Sequence, residues 1–271
     1  MPLILTLRQS PDVPLEVEGI RPDVLQSKSL AEIERLPIFQ GNRQWPLGEW
    51  FSIAGDPADE TIVWEGDLSR VHWIGAKMAS GRMFIGGNVG RHVGSEMAGG
   101  EIRVSGSAGD FAGCEMRGGL IHVGGDAGHL LGGAYRGSAR GMTGGTILVG
   151  GNAGDEIGHT LRRGLIAVGG SAGDLAGFNM LAGTIVLAGP VGQRHGAGMK
   201  RGTIVLAGSQ RPPLLPSFRR ACRYRPDVLS ILGRRLAALQ FGLPDEVLNS
   251  SYELFSGDLL AGGRGEIFVR L

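Results

Sequence analysis

The sequence predicts an all-β protein: a parallel right-handed β-helix, or solenoid, of about seven 19-residue coils, with small mixed N- and C-terminal caps. Three observations carry this expectation. Glycine makes up 49 of the 271 residues, far above the roughly 7% of an average chain, yet a hydrophobic content of 42% excludes a flexible linker. Met78, Met97 and Met116 stand 19 residues apart, as do Leu161, Met180 and Met199, with a 26-residue step from Met116 to Met142. An apolar-x-apolar pair then follows in repeat after repeat, as in Ile102/Val104, Ile121/Val123 and Ile166/Val168. Nineteen residues are too few for a strand, a helix and two loops, which take about 30 or more. They suit one coil of a stack with a spacing of about 4.8 Å.

Residues 1–61 lack the repeat and are expected to form an N-terminal cap. Leu3–Leu7 reads as a strand, and Ser29-Leu30-Ala31-Glu32 is a capping-box pattern before a short helix. A stack of coils needs its open ends covered. Residues 62–208 carry the repeat, G-x-x-G-x-x-x-G-x-x-M-x-x-G-x-I-x-V. Its glycines fall in columns that begin at Gly75, Gly81, Gly87 and Gly90. Corners that need φ > 0 explain them, because glycine enters that region freely. Val89, Ala108, Ala127, Ala153, Ala172 and Val191 form a small inward column, with the methionines filling irregular space beside it. His195 stands where other coils have Val93, Ala112 or Leu131; a satisfied structural histidine is the preferred reading over a ligand. Residues 209–271 form a C-terminal helix and closing strand segment. Arg211-Pro212-Pro213 ends the repeat. Residues 226–241 read as an amphipathic helix with Val228, Leu232, Leu236 and Leu239 on one stripe. Gly265–Val269 echoes Gly100–Val104 and predicts a final rung.

Composition narrows the function. A net charge of +1 gives no support to a nucleic-acid or membrane binder. The start, MPLILTLRQSPDVP, has neither a basic leader nor a long apolar run. Cys114 and Cys222 fit no ligand spacing and are expected as free thiols of a cytoplasmic protein. No phosphate loop or nucleophile elbow occurs, and a repeated 19-residue coil has no crossover helix for a dinucleotide fold. The six histidines suggest no metal cluster. Asp110, Asp155 and Asp174 form a carboxylate column that could hold a catalytic pair, as in polysaccharide-cleaving β-helices. Solvated corner aspartates are the preferred reading, so no catalytic residue is assigned. Arg117, Arg162 with Arg163, and Lys200 with Arg201 recur at one corner of alternate coils, roughly 10 Å apart. Such a ridge could bind an extended polyanion or an acidic neighbour, but a solvated surface that blunts association is the preferred reading. The insertion Ala134–Arg140 places Tyr135 beside Arg136, a common contact composition, and marks a candidate partner-binding bump.

The glycine–methionine repeat resembles the GXGXG β-helix at the C-terminal end of the glutamate synthase large subunit. It is more similar to the C subunit of formylmethanofuran dehydrogenase, and that resemblance covers the whole chain. The opening LTLRQSPDVPLEVEGIRPDVLQSKSLAEIERLPIFQGN is similar to that family's N-terminal segment, and the ending YELFSGDLLAGGRGEIFVRL to its close. The resemblance implies a non-catalytic scaffold in a hetero-oligomer with amidohydrolase-like A, B and formyltransferase D subunits. It implies no cofactor bound by this chain, although the complex uses a methanofuran-type carrier and tetrahydromethanopterin. The family has two branches. In methylotrophic bacteria a formyltransferase/hydrolase complex moves a formyl group from formyl-tetrahydromethanopterin to the carrier and releases formate during formaldehyde oxidation. In archaea a tungsten or molybdenum formylmethanofuran dehydrogenase reduces CO2. The scarcity of lysine (Lys28, Lys77 and Lys200 only) and the lack of ferredoxin-like cysteines point to the bacterial branch. An autonomous polysaccharide-active enzyme built on the aspartate column is the remote alternative.

Overall fold

The computed structural model describes residues 1–271. The fold is mostly β, with a 13-stranded sheet, a four-stranded sheet and few helices. In spatial order the large sheet begins with Phe51–Ala54, Leu3–Leu7, Thr61–Glu65, Arg82–Ile85, Glu101–Val104 and Leu120–Val123. It continues through Thr146–Val149, Leu165–Val168, Thr184–Leu187, Arg201–Leu206, Arg264–Arg270, Tyr252–Gly257 and Arg219–Tyr224. Neighbours pair in parallel from Leu3–Leu7 to Arg264–Arg270. The strands beyond each of these two are antiparallel. No helix is long and apolar enough to cross a membrane.

The register explains the apolar pairs. Ile102 faces Ile121, Ile121 faces Ile147, and Ile147 faces Ile166, all buried. Each isoleucine therefore stacks on its equivalent one strand away. The 26-residue step from Ile121 to Ile147 keeps this register, so the seven extra residues are extruded as a loop. The first step, Ile62 to Met83, spans 21 residues rather than 19. A second column of isolated parallel bridges runs Leu68, Val89, Ala108, Ala127, Ala153, Ala172, Val191. The tail strand Arg264–Arg270 pairs with Arg201–Leu206, placing Gly265 on Gly202 and Ile267 on Ile204.

The glycine columns have two causes where the sequence suggested one. The columns of Gly75 and Gly81 have positive φ throughout. At Gly113 φ is +62°, and a Cβ would lie 2.4 Å from Ile147 Cδ1. The columns of Gly87 and Gly90 have ordinary φ. At Gly109 a Cβ would come within 2.9 Å of the Gly90 carbonyl carbon, so close stacking, not dihedral freedom, excludes a side chain there. Nothing in the repeat signals that non-glycine residues share the left-handed region. Trp73, His92, Phe111, Leu130, Glu156, Leu175 and Arg194 form one such column. Backbone hydrogen bonds between turns of successive repeats hold most of them, as in His92 N–H to Asp110 O at 2.9 Å.

The outer face of the sheet changes character along its length. Residues between the inward pairs are Arg103 and His122 in early strands, then Leu148, Ala167, Val186 and Val205, all four buried. The helix Asp227–Ala238 covers this apolar half, joining Leu229 and Leu236 to a second core with Phe241, Tyr252 and Phe268. The expected stripe is corrected here. Val228 is 53% exposed and Leu229 is buried in its place. Leu229 and Leu236 are seven residues apart and lie within about 20° on the helix, so the apolar sheet selects that face. Tyr252 Oη donates to Val247 O at 2.7 Å, tying the next turn to the same core.

Candidate functional site

The repeat's polar corners are built from backbone demands. Asp110 Oδ1 accepts the His129 N–H at 3.0 Å, Asp155 Oδ1 the Asp174 N–H at 2.8 Å, and Asp174 Oδ1 the Gln193 N–H at 2.8 Å. His129 stands in the same column, where its Nδ1 accepts the Asp155 N–H at 3.0 Å. A parallel ladder runs through Asn88, Ser107, Asp126 and Asn152. One oxygen of each column aspartate is thus committed to a main-chain donor that the corner leaves unpaired. This supports the non-catalytic reading of Asp110, Asp155 and Asp174.

His195 is 1% exposed, with a contact to the Gly192 backbone that falls short of a well-formed hydrogen bond. Burial lowers its pKa, which favours the neutral ring. Cys114 is buried and Cys222 exposed, both as free thiols. Burial raises the pKa of the Cys114 thiol. No group of three or more His, Cys, Asp or Glu side chains is placed to hold a metal ion.

The seven residues singled out as contacts fall in three places. Arg162 and Arg163 precede the strand Leu165–Val168, Lys200 precedes Arg201–Leu206, and Arg201 begins it. These four line one cavity of about 470 Å³ with Leu181, Ala182, Gly183, Ala261 and Arg264. Arg264 is there because it pairs in register with Arg201. An adjoining cavity of about 410 Å³ shares Arg163 and adds Leu165, Thr184, Leu232 and Arg235. Arg117 stands apart, 3.4 Å from Glu96, in a groove with Glu115, Ser138 and Arg140.

Tyr135 and Arg136 separate from the ridge as well. Tyr135 folds back over an aromatic column, 6.3 Å from Trp73 and 5.9 Å from His92 between ring centroids. Trp73 and His92 stack at 3.9 Å, and His92 and Phe111 at 4.8 Å. Tyr135 Oη is buried near the Ser95 side chain, and burial raises its pKa. Arg136 is exposed at the loop surface. Burial, helped by the nearby charges of His72 and Arg91, brings the His92 pKa down to about 4.

Sequence reasoning missed Arg264 and Arg235. The first was legible, since the tail's echo of the repeat aligns Arg264 with Arg201. The second carried no signal, because its position follows from how the C-terminal helix docks.

No family model matches the chain. A 95-residue segment is 43% identical to the C subunit of the tungsten-containing formylmethanofuran dehydrogenase 2 of Methanothermobacter wolfeii, covering 34% of this chain and 35% of that one. A 91-residue segment is 44% identical to the C subunit of the molybdenum-containing formylmethanofuran dehydrogenase 1 of Methanothermobacter thermautotrophicus, covering 33% and 23%. The matched segments thus span about a quarter to a third of these curated relatives. A chain of the formyltransferase/hydrolase complex of Methylorubrum extorquens, whose crystal structure contains methylofuran, superposes with a TM-score of 0.91. It is 35% identical, and the match covers 99% of both chains.

Proposed function

The chain belongs to the family of formylmethanofuran dehydrogenase C subunits, and from that premise we propose that it is the structural subunit of a formyltransferase/hydrolase complex. In this reading the complex moves a formyl group from formyl-tetrahydromethanopterin to a methanofuran-type carrier and releases formate. The full-length likeness to a chain of the Methylorubrum complex, 99% of both chains, carries the proposal. The committed aspartates and the predominance of backbone-supporting roles at the polar corners support a non-catalytic part. The chain would hold amidohydrolase-like A, B and formyltransferase D subunits in fixed relation. A carrier tethered within such an assembly meets both sites at effective concentrations up to about millimolar for short linkers.

The register-stacked strands and the second column of bridges support reading residues 62–208 as coils of a right-handed parallel β-helix. Residues 1–61 and 209–271 would be its caps, since strands from both segments extend the sheet at its two ends. Co-purification from the native host, with every chain identified by mass spectrometry, tests the function. The expected result is a cytoplasmic assembly with amidohydrolase-like and formyltransferase chains and without molybdenum or tungsten. Recovery of the chain alone would overturn the proposal.

The segment identities of 43% and 44% to tungsten and molybdenum enzymes favour a second reading, the C subunit of a CO2-reducing formylmethanofuran dehydrogenase. Stoichiometric tungsten or molybdenum in the purified complex would select it.

A further inference from the structure

The helix Asp227–Ala238 turns one face to the sheet and leaves the opposite face bare. Leu229 and Leu236 mark the inward side. At about 100° per residue, Ile231 lies about 200° from Leu229 and about 140° from Leu236, and Asp227 and Arg234 share its outward stripe. Ile231 is 60% exposed, and Val228, about 60° from it around the helix, is 53% exposed. These are the two most exposed large apolar side chains on any α-helix of the chain. Tyr224, three residues before the helix, is exposed as well, and the strand that it ends, Arg219–Tyr224, is exposed at every residue. Asp227 and Arg234 are exposed, and neither takes part in an ion pair. Seven residues place them about 10 Å apart along the axis, so they do not pair with each other within one helix.

We infer that this face is a self-complementary interface, which joins two copies of the chain by antiparallel packing of their helices about a two-fold axis near Ile231. Asp227 stands four residues before Ile231 and Arg234 three after it. The two-fold therefore brings each aspartate to the second copy's Arg234, and symmetry makes the pair twice. Ile231 packs on its own equivalent, and Val228 lies against the aliphatic stem of the second copy's Arg234. A foreign helix would need its own acid and base at matching places, whereas a second copy supplies both. The helix is about 18 Å long, too short by itself for the roughly 800 Å² per partner of a tight complex. The exposed strand Arg219–Tyr224 beside it extends the contact, and the dissociation constant is expected on the order of 10 µM. The interface stands on this chain's own side chains and does not depend on the complex proposed above; within such a complex it would join two assemblies.

The test is analytical ultracentrifugation of the full-length chain from about 1 to about 200 µM, a range that brackets the expected constant. A reversible monomer–dimer equilibrium is expected. Ile231→Glu should weaken it at least about ten-fold, whereas Val13→Glu, an equally acidic change at an exposed valine of the N-terminal segment, should alter it less than about two-fold. Asp227→Arg alone and Arg234→Asp alone each set like charges against one another twice across the axis, and each should weaken the dimer about ten-fold. An equal mixture of these two variants should recover association to within about three-fold of the unaltered chain, because the mixed dimer again has two opposite-charge pairs. The replaced side chains are exposed, so thermal midpoints measured well below the dissociation constant should be unchanged. If Ile231→Glu unfolds the chain, Ile231→Ser replaces it, with an expected loss of about three-fold. The inference is overturned if the chain stays monomeric across the range, if the substitutions at Ile231, Asp227 and Arg234 leave association intact, or if the mixture associates no better than its components.

Discussion

The upstream and downstream halves of the large sheet share one interior and differ on the outside. Ile102 and Ile121 are buried as completely as Ile185 and Ile204. Outside, the strands Glu101–Val104 and Leu120–Val123 present Arg103 and His122, with Arg103 bonded to Glu101 and, at 2.6 Å, to Gln240 Oε1. The strands from Thr146 onward present Leu148, Ala167, Val186 and Val205 to a covering helix. The shared interior is dictated by stacking, since each side chain must fit its equivalent on the next rung. The outside is free to diverge, because outward residues answer to whatever lies over them. One half presents polar side chains outward, and the other carries a second core beneath a helix.

The largest expected effect tests that outward difference. Val186→Lys buries an ammonium group beneath the helix without a partner and should cost about 3–5 kcal/mol. His122→Lys, at the equivalent upstream position, should stay within about 1 kcal/mol. Urea unfolding of both variants measures the contrast, and similar losses would mean the helix does not seal the downstream face.

The next effect tests the shared interior. Gly119 and Gly202 have φ of +89° and +103°, and a Cβ would lie 2.7 Å from Gly100 O and 2.8 Å from Gly183 O. Gly119→Ala and Gly202→Ala should each cost about 2–3 kcal/mol. Their thermal shifts should match, and a clear inequality between them would show that the two halves do not stack alike.

The smallest effect is acid sensitivity, which should concentrate upstream. Burial lowers the pKa values of His72, His92 and His122 there, with His195 the one downstream counterpart. A depressed imidazole pKa means that the unfolded chain binds the proton more readily. Stability is therefore full above the unfolded value near 6.5 and declines as pH falls, until His92 itself titrates at about 4. His92→Asn should flatten the decline in urea midpoint between about pH 7 and about pH 4.5. An unchanged slope would remove the stacked His92 from the account.

Much of this was legible in the chain. The methionine spacing located the strands, and the echo at Gly265–Val269 located the tail strand that pairs with Arg201–Leu206. The run of apolar outward residues Leu148, Ala167, Val186 and Val205 was legible too, as a loss of alternation that marks a strand buried on both faces. Dihedral freedom and close contact leave the same letter in the sequence, so only the structure separates the columns of Gly87 and Gly90 from those of Gly75 and Gly81. The basic site was half legible: four of its cations share a repeat position, whereas Arg235 depends on helix docking.

By itself the sequence determined the stacking unit, its register and the inward ladder. These follow from a local period imposed on a chain whose neighbours are copies of itself. The tertiary structure alone decided that Arg235 joined the basic corner and that Tyr135 left the ridge for Trp73 and His92. Those outcomes depend on distances between segments with no common period, and a one-dimensional repeat carries no record of them.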